Sequence, residues 1–582
     1  MMAIIQHKIE LHDLHAHLFK VTLTIPEPAS NQAFSMAVWI PGSYLVREFS
    51  KQVQELTAKQ GGKNIAIAQL SKNTWRLANT PTKPITLTYL VYAFDASVRT
   101  AFLDSTRGFF NGTSLFMRVT GQEGTPQQVL IEPSDTTKNW QTATSLTKLA
   151  TNLYQADDYD ELADSPFEMG EFWEGRFTAS GIKHRFIVSG AAATFNGKRL
   201  LADTKKIVET ELSFWHGRAE KPLKALLDKG YVFMLRAMDN GYGGLEHMNS
   251  TALIAKRSDL PRIGDDTTSD GYITLLGLIS HEYFHTWNVK RLRPAELVPY
   301  DYDVENHTEL LWFFEGFTSY YDDLILRRAG LINDEHYLGL LAKTINQVQQ
   351  TPGRLVHSLA DSSFEAWTKY YRMDENSSNS TVSYYTKGSL VALCLDLMLR
   401  QSGSNLDTVM QSLWQKHAAK GKDSIGAIDE AALVEAIPDK ASGQALLKWV
   451  RTTEELPLSK LLASAGIETV AVKANLAQQL GLRVGTNGSI KIKQVLTGTP
   501  AHKAGFAAGD EWLAIEVKDQ TWRISNLDDV LLYASAGKPI TAWIARDKQM
   551  LKLDLTLPKN QMLNADVKLK ITDAKKLSSW LG

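Results

Sequence analysis

Two histidines and two glutamates have the types and the spacing of a hydrolytic metal site. His281 and His285 flank Glu282 in the segment His-Glu-Tyr-Phe-His, at the end of an apolar run that predicts a helix. Residues four apart lie on one face of a helix, so both imidazoles can point at a single ion. Glu315 can supply a third ligand from a second predicted helix. Nitrogen and carboxylate ligands without cysteine favour Zn²⁺, one ion per chain, with a fourth position left for water.

Glu282 would lie beside that open position. A carboxylate there can take a proton from water that zinc activates, which makes Glu282 the predicted general base. Asp322 follows Glu315 by seven residues, on the same predicted helical face. It can accept the second imidazole N–H of a liganding histidine. A solvated surface charge is the alternative for Asp322, since another aspartate is adjacent.

Two other segments are weaker candidates for binding. The basic run at 290–293 has no aromatic or basic extension, which favours structural ion pairs over contacts with nucleic acid. Four histidines near the start straddle a turn and a strand without carboxylate or cysteine support, so we expect no second metal site there. They are His7, His12, His15 and His17.

Composition narrows the class of protein. The chain has 582 residues, of which 44% are hydrophobic and 22% charged, and this length predicts roughly three or four globular domains. Lys plus Arg (63) nearly equals Asp plus Glu (64), so no overall charge attracts nucleic acid or anionic lipid. The single cysteine, Cys394, fits a reducing compartment. No run reaches the ~18 apolar residues of a membrane helix, and no signal-peptide core is recognisable, so we expect a cytoplasmic rather than a periplasmic location.

Changes in hydrophobic pattern divide the chain into regions. Alternating apolar residues predict strands at 17–25 and 85–92, within an all-β N-terminal region. From about 205 to 455 helical patterns dominate, among them a helix over 386–400. A further helix is predicted to begin at Asn306 and to end near Gly330, with Glu315 in its interior.

Beyond residue 457 the pattern changes to short strands and helices. We expect strands at 490–495 and 511–515, a short helix from about 500 to 505, a helix at 526–534 and two closing strands before residue 558. The last twenty or so residues read as a short amphipathic tail.

Seven separated segments, in one order over nearly the whole chain, carry a family resemblance. They are 39–44 (Trp-Ile-Pro-Gly-Ser-Tyr), 99–101 (Arg-Thr-Ala), 110–114 (Phe-Asn-Gly-Thr-Ser), 164–166 (Asp-Ser-Pro), 243–247 (Gly-Gly-Leu-Glu-His), 281–288 and 312–321. Together they resemble the glycyl aminopeptidase family of gluzincin zinc metallopeptidases, which carries a C-terminal PDZ domain. The resemblance implies that His281, His285 and Glu315 bind zinc and that Glu282 activates water.

The same resemblance assigns the substrate strand. Related aminopeptidases carry a Gly-Ala-Met-Glu-Asn strand where this chain has residues 243–247. It implies that Gly243 and Gly244 align the substrate backbone and that Glu246 recognises its free α-amine. Two glycines let another backbone approach, and a carboxylate supplies the counter-charge of an ammonium. His247 stands where relatives have asparagine, and an ordinary turn is the alternative.

Further roles follow from shorter matches. The segment Tyr-Tyr-Thr-Lys-Gly at 384–388 resembles the part of those enzymes that holds an oxyanion-stabilising tyrosine, which implies this role for Tyr385, with Tyr384 as the second choice. Glu168 is a candidate for a second contact with the amine.

The C-terminal region resembles a PDZ domain of the bacterial protease type. Leu480, Gly481 and Leu482 are the implied carboxylate-binding loop, whose N–H groups would capture a peptide C-terminus. The alternative is a domain that only packs on the catalytic part.

The expected fold is multidomain α+β. It comprises an all-β domain (1–172), a mainly helical, thermolysin-like zinc peptidase domain (173–458), a PDZ-like domain (459–560) and a tail (561–582). The expected function is a zinc-dependent aminopeptidase acting on short peptides, and the family implies a preference for glycine or alanine. Expected partners are peptide substrates and a C-terminal peptide ligand of the PDZ domain, without nucleic acid or membrane. A zinc endopeptidase and a non-catalytic peptide-binding protein remain as alternatives.

Overall fold

The computed structural model describes residues 4–81, 83–217, 227–418, 425–485 and 488–581. The chain forms two compact units. The first comprises Met1–His307, Ala329–Leu331 and Met410–Asp429, and the second comprises Thr308–Arg328, Ile332–Val409 and Glu430–Gly582. A multidomain α+β architecture with a β-rich N-terminal part is confirmed.

Three sheets build the N-terminal part. Apolar side chains alternate inward along the central strands, so that Phe19, Val21 and Leu23 are fully buried in one core. The predicted strands are confirmed as Leu18–Ile25 and Ile85–Tyr92. In spatial order the eight-stranded sheet is Thr147–Ala150, Leu153–Ala156, Gln127–Glu132, Ile5–Asp13, Leu18–Ile25, Ile85–Tyr92, Val53–Gln60 and Lys63–Asn64. The two four-stranded sheets are Gln141–Ala143, Phe167–Gly170, Arg107–Phe110 and Ala101–Leu103, and Arg118–Val119, Ala33–Ser35, Thr74–Leu77 and Ile67–Gln69.

A five-stranded mixed sheet follows, and it corrects the helical assignment from residue 205 onward. The run Tyr231–Met238 is buried on both faces between two parallel neighbours, so its residues do not alternate in polarity and their strand character is hidden in the sequence. In spatial order the strands are Trp173–Ala179, Ile182–Ser189, Tyr231–Met238, Ser250–Lys256 and Gly243–Glu246. Gly243–Glu246 lies at the edge of this sheet, and we call it the edge strand.

The predicted helix that carries the histidines is confirmed as Asp270–Phe284, here called the metal helix. The Ser269 side chain caps it by accepting a hydrogen bond from the Tyr272 N–H at 3.2 Å. Ser280 donates to the buried carboxylate of Glu211 on a neighbouring helix at 2.9 Å. The other helices in the described residues before 308 are Phe49–Gln52 (3₁₀), Gly112–Leu115, Tyr159–Ala163, Gly197–His216, Arg257–Asp259 (3₁₀) and Ala295–Leu297 (3₁₀).

The predicted first residue of the next helix is wrong. The helix begins at Leu311 rather than at Asn306, because the Asn306 side chain bonds the main chain of Asp301 and so holds a loop. Glu315 falls in right-handed helical backbone between Leu311–Phe314 and Gly316–Arg328.

The remaining helices lie in sequence order as follows, and the predicted helix at 386–400 is confirmed among them. They are Asp334–Gln349, Pro352–Leu355 (3₁₀), Leu359–Phe364, Tyr370–Arg372 (3₁₀), Ser377–Ser380, Thr386–Gln401, Leu406–Leu413, Trp414–Ala418 (π), Glu430–Glu435, Lys440–Arg451 and Leu458–Ser464. A short parallel pair joins Leu292–Pro294 to Gly426–Ile428.

The C-terminal elements agree with the predicted pattern. One sheet contains, in spatial order, Leu482–Gly485, Ile490–Val495, Glu511–Val517, Pro539–Arg546 and Gln549–Thr556, with Gln520–Arg523 beside Glu511–Val517. Its helices are Leu476–Leu480, Pro500–Ala504 and Asp528–Tyr533. The expected tail contains the strand Val567–Ile571, which pairs with Ile467–Ala471, and the helix Ala574–Leu581. Among all the described helices, none is long and apolar enough to cross a membrane.

Candidate active site

The turn after the metal helix fixes the orientation of His285. This residue is buried, and its Nδ1 lies 2.7 Å from the Asn288 carbonyl oxygen. A carbonyl can only accept, so Nδ1 carries the proton and Nε2 keeps its lone pair for a metal ion. His281, one turn earlier, is partly exposed, and the two imidazole centroids are 4.6 Å apart. Asn288 therefore acts on His285 as an outer hydrogen-bond acceptor does in metal sites.

Trp287 anchors the same turn. Its indole N–H donates to His216 Nε2 at 2.8 Å, and burial lowers the pKa of His216 to about 4. A neutral imidazole at ordinary pH can accept this bond. The segment Thr-Trp-Asn after the histidine motif thus holds the end of the metal helix.

Glu282 lies against the edge strand at Gly244. A side-chain carbon added to Gly244 would overlap the Glu282 carboxylate, so the absence of one leaves the space that this carboxylate fills. Gly243 has a φ of +153°, which favours glycine for a second reason. The two glycines are therefore required by the geometry of the site itself.

Glu246 is a buried carboxylate at the other end of the edge strand. It is only 4% exposed, and among the described residues it forms no ion pair. Gly42, with a φ of +89°, packs against it so closely that a Cβ there would lie 2.5 Å from one carboxylate oxygen. The buried Lys290 ammonium attracts this carboxylate without forming an ion pair with it, so Glu246 can still receive a cationic group at close range. Gly42 belongs to the Trp-Ile-Pro-Gly-Ser-Tyr segment, for which sequence analysis gave no role.

The Asp164 carboxylate bonds the turn that follows Glu246 and also forms an ion pair. The Lys290 ammonium lies 2.7 Å from the Asp164 carboxylate, which also accepts from the Met248 N–H at 2.6 Å and lies 3.3 Å from His247 Nδ1. Burial alone would raise the pKa of Asp164, but Lys290 and His247 bring it below its usual value. His247 therefore contacts the Asp-Ser-Pro segment.

The basic run at 290–293 is buried, and Lys290 forms an ion pair of the predicted kind with Asp164. Lys290, Arg291 and Arg293 are all buried. The Arg291 guanidinium donates to the Thr286 carbonyl at 2.9 Å, and the Arg293 guanidinium stacks on the Tyr300 ring at 4.1 Å. Each of these three side chains therefore makes its contacts within the fold.

Glu315 and Tyr385 belong to the second unit. Glu315 is buried, whereas the Tyr385 side chain remains partly exposed among the rings of Tyr370 and Tyr384. Burial, and then the Glu315 carboxylate, raise the pKa of Tyr385 well above its ordinary value. Tyr385 thus stays a protonated donor at neutral pH. Tyr384 is fully buried, which favours a packing role for it.

Two groups of side chains have ligand atoms within 4.8 Å of one another. They are His281, His285 and Glu315, and Glu246, Glu282 and His285. The first group fits zinc by the chemistry of its donors and by the tautomer of His285. Asp322 is partly buried on the helix Gly316–Arg328, and its role toward a histidine stays a prediction.

Glu168 is not an amine contact. Its carboxylate receives two 2.7 Å bonds from Arg107 and one from Ser189, so its charge is neutralised within the fold. Of the N-terminal histidines, His7 is buried against Gln127 with its pKa lowered to about 4 by burial, and His17 contacts the Leu103 carbonyl.

The candidate carboxylate loop ends a short helix. Gly481, with a φ of +73°, caps Leu476–Leu480, and its N–H donates to the Gln478 carbonyl at 3.1 Å. Leu480 and Leu482 are buried, and Gly481 and Leu482 line a cavity of about 180 Å³.

Comparison with known proteins identifies the family. The family model for the peptidase M61 N-terminal domain matches residues 6–171, and that for the M61 glycyl aminopeptidase matches residues 274–391. An aminopeptidase N family protein from Idiomarina loihiensis has a crystal structure that is 36% identical, covers 99% of this chain and 100% of its own, and superposes with a TM-score of 0.92. No curated protein matches at a significant level.

More distant structures share 13–14% identity. One is a mutant M1 zinc metallopeptidase from Deinococcus radiodurans bound to a Tyr-Ser-Ala substrate, which covers 78% of this chain and 95% of its own with a TM-score of 0.47. Another is yeast LTA4 hydrolase with bestatin, which covers 78% and 68% with a TM-score of 0.47. The two family models and the Idiomarina structure decide the assignment: the chain belongs to the M61 glycyl aminopeptidase family and is a metallo-aminopeptidase.

Proposed function

We propose that the protein removes the N-terminal residue from short peptides, with one Zn²⁺ held by His281, His285 and Glu315. The ligand atoms of these residues lie within 4.8 Å of one another, and His285 presents Nε2. We also propose that Asp322 accepts the second N–H of a liganding histidine. Zinc, when bound, supplies a Lewis acid that makes water a better nucleophile and polarises the scissile carbonyl.

The chain's own residues would carry the other steps. Glu282 takes the proton of the attacking water and passes it to the leaving nitrogen. Tyr385 donates its phenol hydrogen bond to the oxygen that becomes negative. The edge strand holds the substrate backbone, and the Gly244 site keeps the Glu282 carboxylate beside it.

The observation that supports an exopeptidase is the position of the Glu246 carboxylate. It is buried, it forms no ion pair among the described residues, and it lies on the edge strand in the same cluster as Glu282. An ammonium at the start of a peptide would supply a direct ion-pair partner, which Lys290 does not provide, whereas an internal amide would not.

Comparing a free peptide with its N-acetylated form tests this against an endopeptidase. We expect the free form to be cleaved at its first bond and the acetylated form to be at least about a hundredfold slower, because its nitrogen carries no charge for Glu246. Equal rates would remove the exopeptidase proposal. A series of aminoacyl-arylamides, with and without a chelator, tests the proposed preference for glycine or alanine and the need for metal.

Glu282→Gln separates an enzyme from a peptide-binding protein. We expect this variant to bind one zinc per chain, as the wild type does, and to lose nearly all turnover. A wild type that binds zinc but cleaves no peptide would favour the non-catalytic alternative.

We further propose that residues 459–560 form a PDZ-like module that binds a peptide C-terminus near Leu480, Gly481 and Leu482. What supports this is the strand Leu482–Gly485, which among the described strands pairs on one side only, and a groove of about 1310 Å³ along it. Arg483 and Lys568 line this groove and supply positive charge. Fluorescence polarisation with the full chain should show that a peptide with a free carboxylate binds more tightly than its amide.

Two coarser expectations complete the proposal. We propose domain limits near residues 172, 458 and 560, which limited proteolysis can test at the exposed connections. We also propose a cytoplasmic location, which the buried thiol of Cys394 fits and which cell fractionation tests.

A further inference from the structure

Arg99 lies beside the edge strand and has no acidic partner among the described residues. Its Nη2 donates to the Gly244 carbonyl at 3.2 Å. Its Nε is buried without a hydrogen-bond partner in the described part of the chain. The side chain is only partly exposed, so this charge is held at a defined place instead of moving freely in solvent.

The direction of the edge strand relates Arg99 to Glu246. Along a strand of an antiparallel pair, the main-chain N–H and C=O groups of one residue bond the partner strand, and those of the next residue point away from it. The His247 N–H donates to the Ser250 carbonyl, so Gly244 and Glu246 turn their main-chain groups to the open edge. The contact between Arg99 and the Gly244 carbonyl agrees with this alternation.

Opposite charges therefore stand along one open strand edge. Glu246 is a buried anion without an ion pair, and Arg99 is a cation without one, at Gly244 and beside Gly243. A strand rises ~3.3 Å per residue, so the segment from Glu246 to Gly243 extends roughly 10 Å. An extended peptide of two or three residues has the same length, with an ammonium at one end and a carboxylate at the other.

We propose that Arg99 binds the free C-terminal carboxylate of the substrate, so that the enzyme prefers dipeptides and tripeptides to longer or amidated chains. This inference rests on the proposed aminopeptidase function and names its substrate class. Arg99 has Nη1, beside Gly243, for a carboxylate, while Nη2 holds the Gly244 carbonyl and Nε is buried. Guanidinium–carboxylate bonds are among the strongest hydrogen bonds in proteins.

The test compares Ala-Ala-Ala, its C-terminal amide and alanine arylamide as substrates of the zinc-loaded full chain. In the wild type we expect kcat/KM for the free acid to exceed that for the amide by about ten- to a hundredfold, mainly through KM. In Arg99→Gln this ratio should fall to about one, because the loss on the free acid should exceed any loss on the amide and on the arylamide, which carry no carboxylate. Arg99→Lys should keep part of the preference, because it retains the charge.

Arg257→Gln is the matched control. Arg257 also donates to main-chain carbonyls, those of Gly190 and Ala237, but it does not contact the edge strand. It should leave the acid-to-amide ratio unchanged. Thermal unfolding of each variant confirms that folding is intact.

The outcomes separate the two proposals. A wild-type ratio near one, or an equal loss on acid, amide and arylamide in Arg99→Gln, overturns the role of Arg99 and leaves the aminopeptidase function standing. A wild type that cleaves none of the three substrates overturns both. Calorimetric titration of the Glu282→Gln variant with the tripeptide acid and its amide gives the same comparison without turnover.

Discussion

The position of the Glu282 carboxylate depends on the missing side chain at Gly244. Because a methyl group there would overlap the Glu282 carboxylate, Gly244→Ala should displace the proposed base. A misplacement of about 1 Å can cost roughly a hundredfold in rate, so we expect kcat to fall at least that far. Steady-state kinetics on an alanine arylamide measure the effect. Gly124→Ala, where the added carbon meets nothing within 4 Å, should be neutral. Unchanged kcat in Gly244→Ala would contradict the placement of Glu282.

Adjacent tyrosines allow a second comparison at the residue scale. Tyr385→Phe should lower kcat by about 10²- to 10³-fold with little change in KM, because the phenol donor acts on charge that forms only in the transition state. Tyr384→Phe should stay within a few fold, since its ring is fully buried beside Tyr385. Equal losses in both variants would assign the effect to packing.

The sequence predicts residues whose roles depend on spacing, and it misses those whose roles depend on shape. His281, Glu282 and His285 can be found because one helical turn separates the histidines. Asn288 acts through its main-chain carbonyl, which any residue has, so its side chain carries no signal. Arg99 lies far in sequence from the strand that it contacts, and only its place in a family segment marked it.

At the scale of elements, the ion pair of Asp164 and Lys290 joins the segment after the metal helix to the N-terminal part, and the same carboxylate bonds the Met248 N–H after the edge strand. Asp164→Asn leaves Lys290 buried without its counter-charge, which should lower the free energy of unfolding by about 3–5 kcal/mol in urea denaturation. Asp157→Asn, at an exposed pair with Lys229, should change it by less than about 1 kcal/mol.

The same pair sets a dependence on pH. Since the folded pKa of Asp164 lies below its unfolded value of about 3.9, the stabilisation is complete above that pH and is lost as the pH falls through lower values. Between pH 5 and pH 2 the wild type should lose more stability than Asp164→Asn. Parallel curves for the two proteins would contradict this assignment.

Element boundaries show why some predictions failed. The helix after residue 306 starts five residues late because Asn306 bonds the loop backbone instead of capping a helix. The strand Tyr231–Met238 escapes detection because both of its faces are buried. Strands with one wet face, such as Leu18–Ile25, are predicted correctly because polar and apolar residues alternate.

At the scale of the molecule, the C-terminal helix Ala574–Leu581 packs into the core of the second unit. Trp580 is 1% exposed on the helix Ala574–Leu581, and its indole N–H donates to the Tyr320 hydroxyl at 3.2 Å. Tyr320 in turn donates to Asp396 at 2.8 Å. The expected amphipathic tail thus contributes to the core of the second unit, on the helix that follows Glu315.

Trp580→Ala should therefore destabilise the protein by about 3–5 kcal/mol, through lost burial and the cavity left behind. Urea unfolding of the full chain measures this. Leu532→Ala, at a side chain that is 73% exposed, is the control and should change stability by less than about 0.5 kcal/mol. A stable Trp580→Ala variant would show that the last helix is dispensable.

The contact between Gly42 and Glu246 has a consequence for how the protein can be divided. Gly42 and Arg99 both come from the β-rich part before residue 172, yet they contact Glu246 and Gly244 of the edge strand, on which a peptide is proposed to bind. A shortened enzyme that starts at residue 173 would keep His281 and His285. It would lose Gly42, which lies beside Glu246, and Arg99, which is itself proposed to recognise one end of a peptide. Removal of this first domain should therefore give a less selective peptidase or an inactive protein, and not a smaller enzyme with the same exopeptidase specificity.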